Sequence, residues 1–316
     1  MLVTGLQAQM INFHQQNINA NFFTHLFVGY AGVDAQTYKI TIDPSQHVLI
    51  NQFASTVRLR NPDVKTLLSI SRFSERFAKI ATDHSNHDVF IKSSIDVARA
   101  AIVEDAINLS LPRLLLVATV SNVPYLQHNI QYPVDAIKQN LDWLNILSYD
   151  FYTPISSSKA TGPSSAFNNP KANALSANFG IKSWTKSLGN LPHNKIVFGI
   201  PFYGWAWKLV DSNPHDVFSK AEGAAKGDYI SQDGRIDYSN VKEFIANNQA
   251  DVENKDRRLL IAYTYSDTTW IVYESEYTIE DKISLAKLND VLGYFAFNIA
   301  ADDGVNTLAN KLLEFN

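Results

Sequence analysis

Tyr149 and Asp150, in the stretch SYDFY (148–152), set a phenol beside a carboxylate at the end of the apolar run WLNILSY (143–149). Two other stretches share that build. PFYGWAW (201–207) brings Tyr203, Trp205 and Trp207, and FAFNIAADD (295–303) brings Phe297. A polar pair among aromatic faces suits a sugar, whose C–H faces stack on rings while its hydroxyls need hydrogen bonds. Tyr149-Asp150 reads equally as a strand-end cap packed on a neighbouring loop, and the residues alone leave both readings open. An aromatic content of 12% is otherwise accounted for by a well-filled core.

The elements that must position these residues are runs apolar on both faces: FFTHLFVGY (22–30), VKTLLSI (64–70), RLLLVATV (113–120), WLNILSY, KIVFGIPF (195–202) and VLGYFAF (291–297), with a weaker LVTGL (2–6). Strands of this kind belong to parallel sheets covered by helices. Helical spacing separates them, as in 48–60, where Leu49, Phe53 and Val57 fall on one face and Asn61-Pro62 ends the helix. IKSWTKSL (181–188), VKEFIANN (241–248) and IEDKISLAKL (279–288) are amphipathic too. The repeated alternation implies a parallel α/β architecture and its repeat number a barrel. Residues 204–275 break the rhythm, with an Asp-Gly turn between short alternating runs in SQDGRIDYS and a strand-like RLLIAYTY. We read a (β/α) barrel over 1–203 and 276–316 and a small α+β insertion over 204–275.

A net charge of −4, without a basic stripe, argues against nucleic acid and against an anionic membrane surface. No apolar run reaches the length of a bilayer span. With no cysteine there is no thiol nucleophile, thiolate site or disulfide. No Gly-rich phosphate loop is present and no cofactor is called for. His84 and His87 in DHSNHD have near-ligand spacing but no third ligand in what reads as a polar loop, so no metal is expected. The N-terminus has neither a basic start nor a long apolar centre and does not read as a secretion signal. One Asn108-Leu-Ser triplet carries weight only for a secreted chain.

The blocks FFTHLFVGYAG, RNPDVKTLLSI, LPRLLLVATV, YPVDAIKQNLDWLNILSYDFYTP, KIVFGIPFYGWAW, TTWIVYES and VLGYFAFNIAADD resemble, in order and over nearly the whole chain, the plant class V chitinases of glycoside hydrolase family 18. The resemblance implies a TIM-type barrel with an insertion before its last strand. It implies substrate-assisted hydrolysis of β-1,4-linked N-acetylglucosamine, an exception to the paired-carboxylate scheme. In that chemistry one Glu, closing an Asp-x-x-Asp-x-Asp-x-Glu motif at the fourth strand, protonates the leaving oxygen. The substrate's own acetamido carbonyl is the nucleophile. Tyr149 matches the residue that holds the acetamido group, Asp150 the one that supports the charge, and Phe297 the floor aromatic. Tyr30, Tyr203, Trp205 and Trp207 complete the implied substrate-binding set. Such proteins are usually secreted or vacuolar. His25 also occurs in the family's second-strand block, where a structural role is the simpler reading.

The chain departs from the family at its centre. After SSIDVARA it runs from Ala100 directly into AIVEDAI, and the fourth strand, its acidic motif and most of the next helix are missing as one unit. No Asp-x-Asp-x-Glu occurs elsewhere. Glu104 and Asp105 fall off the helical stripe of Ile95, Ala98, Ile102 and Ala106, toward solvent, where a carboxylate keeps an ordinary pKa and is a poor acid at neutral pH. Asp302 and Asp303 match a pair that is not the acid. Arg72-Phe73 replaces a glycine-rich turn, Phe297 stands where Trp is usual, and GLQAQ replaces the first strand's Tyr-Trp ending. The expectation is an impaired or inactive chitinase-like protein that binds chitin or its oligosaccharides. The alternatives are a protein-binding inhibitor, with a protein partner or self-association, a non-functional truncated isoform, and an active chitinase needing a carboxylate the sequence does not offer.

Overall fold

The computed structural model describes residues 2–7, 18–70, 76–77, 79–80, 83–100, 115–125, 131–170, 174–187, 189–250 and 254–314. Arg72-Phe73, Glu104-Asp105 and the Asn108-Leu-Ser triplet lie outside them. The chain divides into two compact units, one of Val3–Leu114 and one of Leu115–Asn316 together with Met1–Leu2.

In the N-terminal unit, β1 (Leu2–Gln7), β2 (His25–Val33) and β4 (Lys65–Ile70) are parallel, β2 lying between the other two; β3 (Ile40–Thr41) runs antiparallel to β2. The core gathers Ala31, Val33, Ile40 and Ile80, with Leu68, Phe77, Phe90 and Val97 packed on it. Helix α1 (His47–Arg58) buries Ile50, Phe53, Ala54 and Val57, the i, i+3, i+4, i+7 stripe, so Ile50 takes the place expected of Leu49. Past its end at Arg58, Asn61 donates its amide to the carbonyls of Ala20 and Phe23.

Helix α2 spans His84–Ala100. The stretch DHSNHD therefore opens a helix and is not a loop. Asp83 accounts for this, its Oδ1 accepting the N–H groups of Ser85 (2.8 Å) and Asn86 (3.2 Å) as an N-cap. Between Ile70 and Val117 the described residues contain no strand.

The C-terminal unit carries the parallel strands β5 (Val117–Ser121), β6 (Trp143–Leu147), β7 (Ile196–Pro201) and β14 (Gly293–Phe297), paired in the order β5-β6-β7-β14. β7 is buried at every residue, as a central parallel strand covered on both faces must be. Helix α3 (Val134–Asn140) links β5 to β6, and the Lys195 ammonium donates to its last carbonyls, at Lys138 (2.7 Å) and Leu141 (2.6 Å). The expected helix at 181–188 starts earlier, as α4 (Ala177–Lys182), and finishes in a π-helical turn over Ser183–Ser187.

Residues Tyr203–Tyr273 form a second, antiparallel sheet of six strands: β8 (Tyr203–Leu209), β9 (Ala221–Ala224), β10 (Arg235–Asp237), β11 (Asn254–Asp256), β12 (Ile261–Ser266) and β13 (Thr269–Tyr273). Helix α5 (Tyr238–Asn248) follows β10. The Asp-Gly turn forms, with Gly234 at φ +93 and its N–H on the Ser231 carbonyl at 2.9 Å. It does not join two strands of a hairpin, because no strand precedes it and β10 pairs with β8. Helix α6 (Glu276–Leu288) begins in a Ser275–Thr278 capping box and leads to β14. Helix α7 (Thr307–Leu313) follows, its first N–H groups received by Asp302 and Asp303.

Candidate functional site

β6 and β7 end beside one another, and the residues just past those ends meet the start of β8. Asp150 is the centre. Its Oδ1 accepts from the Tyr203 hydroxyl (2.9 Å) and from Trp205 Nε1 (2.8 Å), and its Oδ2 from the same hydroxyl (2.8 Å). Its backbone is left-handed, φ 60, a conformation Asp tolerates better than most residues. The residue is exposed by surface area, yet protein crowds its carboxyl: burial raises its pKa, against the opposing pull of Trp205, Tyr203 and Arg235.

Tyr149, buried, meets Tyr203 edge-on at 6.1 Å and lies parallel to Phe297 at 6.4 Å and 12°. Phe297 is half-buried and meets Tyr203 edge-on at 6.4 Å. A Cβ at Gly199 would come within 2.8 Å of Tyr149 Cε1, Phe295 Cζ and the Ile146 carbonyl, so glycine is what lets the Tyr149 ring settle onto β7. Burial and the neighbouring Asp150 together push the Tyr203 phenol well above its ordinary pKa, so it stays a donor.

Of the residues singled out in the sequence, Tyr149, Asp150, Tyr203, Trp205 and Phe297 come together. Trp207 does not. It is fully buried, donates Nε1 to the Ser157 carbonyl (2.9 Å) and packs on Trp270 at 5.7 Å, so it has no surface to offer a sugar. Tyr30 belongs to the N-terminal unit, where it is 37% exposed and is the extra residue of a bulge in the β2–β4 pairing. His25 is buried against Thr24 Oγ1 (2.9 Å), and burial and Lys65 lower its pKa to about 4, as befits a structural histidine. Asp302 is spent on capping α7.

The sequence reading missed Arg235. Its guanidinium lies 4.1 Å from the centroid of the Tyr203 ring and reaches Asp237 at 3.4 Å. The antiparallel register sets Arg235 opposite Trp205 and Asp237 opposite Tyr203, so the arginine reaches Tyr203 diagonally. Only that pairing, not the local pattern, reveals it. Next to it a groove of about 560 Å³ is lined by Pro154, Ile155, Ala224, Ser231, Gln232 and Asp233. Also missed was a fully buried quartet of Ser165, Glu274, Thr278 and Lys282. Its signal was available: Lys282 sits on the apolar stripe of α6, between Ile279 and Ile283. Among the described residues no cluster of His, Asp and Glu could hold a metal ion.

The family profile of glycosyl hydrolases family 18 matches residues 7–110 and 100–302. A class V chitinase of Arabidopsis thaliana is 35% identical, over 91% of this chain and 82% of its own length. Among solved structures, a class V chitinase of Nicotiana tobaccum in complex with NAG4 superposes with a TM-score of 0.91 at 30% identity, covering 99% of this chain and 97% of that one. A chitinase-like agglutinin of Robinia pseudoacacia gives 0.84 at 29%, covering 99% of both. These neighbours place the chain in the TIM-barrel fold expected from its alternating strands and helices. The chain belongs to glycosyl hydrolase family 18, close to the class V chitinases of plants.

Proposed function

We propose that this chain binds β-1,4-linked N-acetylglucosamine oligosaccharides at the Tyr149–Asp150 cluster and hydrolyses them negligibly. The observation that carries the first half is the cluster itself: the half-buried Phe297, parallel to the buried Tyr149 ring, offers an apolar face beside the exposed Asp150. The single Tyr203 hydroxyl proton is shared between the two oxygens and Trp205 reaches only Oδ1, which leaves Oδ2 lone-pair capacity for an acetamido N–H. Tyr203 and Trp205 hold that carboxylate in place, and Arg235 braces Tyr203 from above. The NAG4 bound by the Nicotiana relative and the agglutinin among the neighbours support an oligosaccharide as ligand.

The second half rests on the missing acid. The sequence holds no Asp-x-x-Asp-x-Asp-x-Glu, and the family profile matches in two segments that meet at 100–110, where that motif's strand is expected. Loss of general acid catalysis removes about 10²–10⁴ in rate. Tyr149 and Asp150 stabilise charge on the acetamido group but deliver no proton to the leaving oxygen.

The test is a titration of intrinsic tryptophan fluorescence with chitohexaose, held for hours at saturation while reducing ends are assayed. A saturable change, stable in time and abolished by Trp205→Ala, is expected. A signal that decays as reducing ends accumulate overturns the claim of inactivity, and absence of any saturable change overturns the claim of binding.

A further inference from the structure

Glu274 and Lys282 are each 1% exposed and form an ion pair deep in the C-terminal unit. Lys282 Nζ donates to Glu274 Oε1, to the Ser165 carbonyl (2.7 Å) and to Ser165 Oγ (3.3 Å). Ser165 Oγ donates to Glu274 Oε1 (2.5 Å), and Thr278 Oγ1 donates to Oε2 (2.6 Å). A buried ion pair adds little to stability compared with an apolar pair of the same volume. A role beyond stability is found one residue away. The Ser164 carbonyl accepts the N–H of Phe151 at 2.9 Å, and Phe151 follows the left-handed Asp150. Two successive carbonyls of one loop are thus each held, one by the Lys282 ammonium and one by the backbone that carries the site's carboxylate. Among the described residues Ser164 Oγ has no hydrogen-bond partner, and this residue is held through its backbone. A left-handed non-glycine residue persists only when its surroundings over-determine it.

We propose that the Glu274–Lys282 pair positions Asp150, acting through the Ser164–Ser165 backbone to hold the carboxylate against Tyr203 and Trp205. The pair touches no ligand, and its effect on sugar affinity rests on the binding reading above. Around Asp150 the charged or titratable groups are Tyr149, Tyr203, Arg235 and Asp233. None of these belongs to the quartet, and among the described residues the Ser164–Ser165 backbone links the two sets.

Trp205 Nε1 reports on Asp150 directly, since it donates to it. The experiment follows the Trp205 indole ¹⁵N–¹H resonance, assigned with Trp205→Phe, through a pH titration of the whole chain. The variants are Glu274→Gln/Lys282→Met, which leaves no unpaired buried charge, and Ser165→Ala, which removes one hydroxyl. In the double variant the expected result is a cooperative fold, a displaced indole resonance, an Asp150 midpoint moved by about half a pH unit or more, and chitohexaose affinity weakened about fivefold, roughly 1 kcal/mol. Ser165→Ala shifts the resonance in the same direction by less, and it alone decides the matter if the double variant does not fold. A folded variant whose indole resonance and midpoint match the parent chain overturns the proposal. The indole readout uses no sugar. A normal shift pattern with no binding in any variant would therefore sink the ligand reading and leave the positioning role standing.

Discussion

Replacing Asp150 separates the polar role of its side chain from the strain of its backbone. In Asp150→Ala the Tyr203 hydroxyl and Trp205 Nε1 lose their acceptor, and both side chains are buried, 4% and 8% exposed. An orphaned buried donor costs about 1–3 kcal/mol. The Tyr203 hydroxyl, deeper, sits toward the upper end of that range. Trp205, the more exposed of the two, sits toward the lower. At φ 60 alanine adds about 1 kcal/mol that aspartate partly avoids by local hydrogen bonding. The sum is about 3–5 kcal/mol for Ala. Asp150→Gly orphans the same donors and relieves the backbone, so it costs about 1 kcal/mol less than Ala, offset slightly by chain entropy. Asp150→Asn keeps an acceptor and the left-handed tolerance and costs about 1 kcal/mol or less. Urea unfolding followed by tryptophan fluorescence, with the m-value checked for constancy, gives the series. The order Asn, Gly, Ala, from least to most destabilised, is expected. An Ala variant within about 1 kcal/mol of the parent, or a Gly variant as costly as Ala, would refute the account of the site as a strained carboxylate serving two buried donors.

Other outcomes follow from the same geometry. On the proposed binding reading, Phe297→Trp is expected to enlarge the apolar face and tighten chitohexaose binding about two- to tenfold, the worth of an added aromatic contact; calorimetry reads it. His25, held near pKa 4 when folded against 6.5 when free, contributes stability that is present above pH 6.5 and is lost as pH falls toward 4. The thermal midpoint of His25→Gln is accordingly less sensitive to pH across that window than the parent's. Asp302 has the opposite sign: raised to about 6 from 3.8, it contributes stability below pH 3.8 that is lost as pH rises through 6. Asp302→Asn removes that slope, and differential scanning calorimetry at pH 4 and pH 7 checks it.

The parallel strands were legible because a strand covered on both faces writes an unbroken apolar run, and β7 and β14 stand within two residues of where their runs placed them. Tyr149, Asp150 and Phe297 were legible for the same reason, since strand ends are where a sheet of this kind exposes side chains. Trp207 was not, for a reason internal to the strand. Tyr203, Trp205 and Trp207 alternate onto one face of β8, and a period of two cannot tell which part of that face is open. Trp270 and the Ser157 carbonyl close it over Trp207. Arg235 needed the β8–β10 register, a pairing across thirty residues that no local pattern encodes. Lys282 was written plainly as a charge on an apolar stripe, with Glu274 only eight residues before it, and Ser165 alone among its partners came from a segment that sequence places far away.

Gly199 has a consequence for how such a chain drifts. Every single-base change in a glycine codon that is not silent gives a residue with a Cβ or a stop, and every such Cβ meets Tyr149, Phe295 and the Ile146 carbonyl at once. The floor is therefore a single mutational step from being lifted. A lineage that has dropped hydrolysis and also lost its use for the sugar has no reason to keep that position bare, and alanine or serine would enter there early. Glycine retained at 199 across relatives that lack the acid would record continuing selection for occupancy, a fossil of purpose read from one missing methyl group.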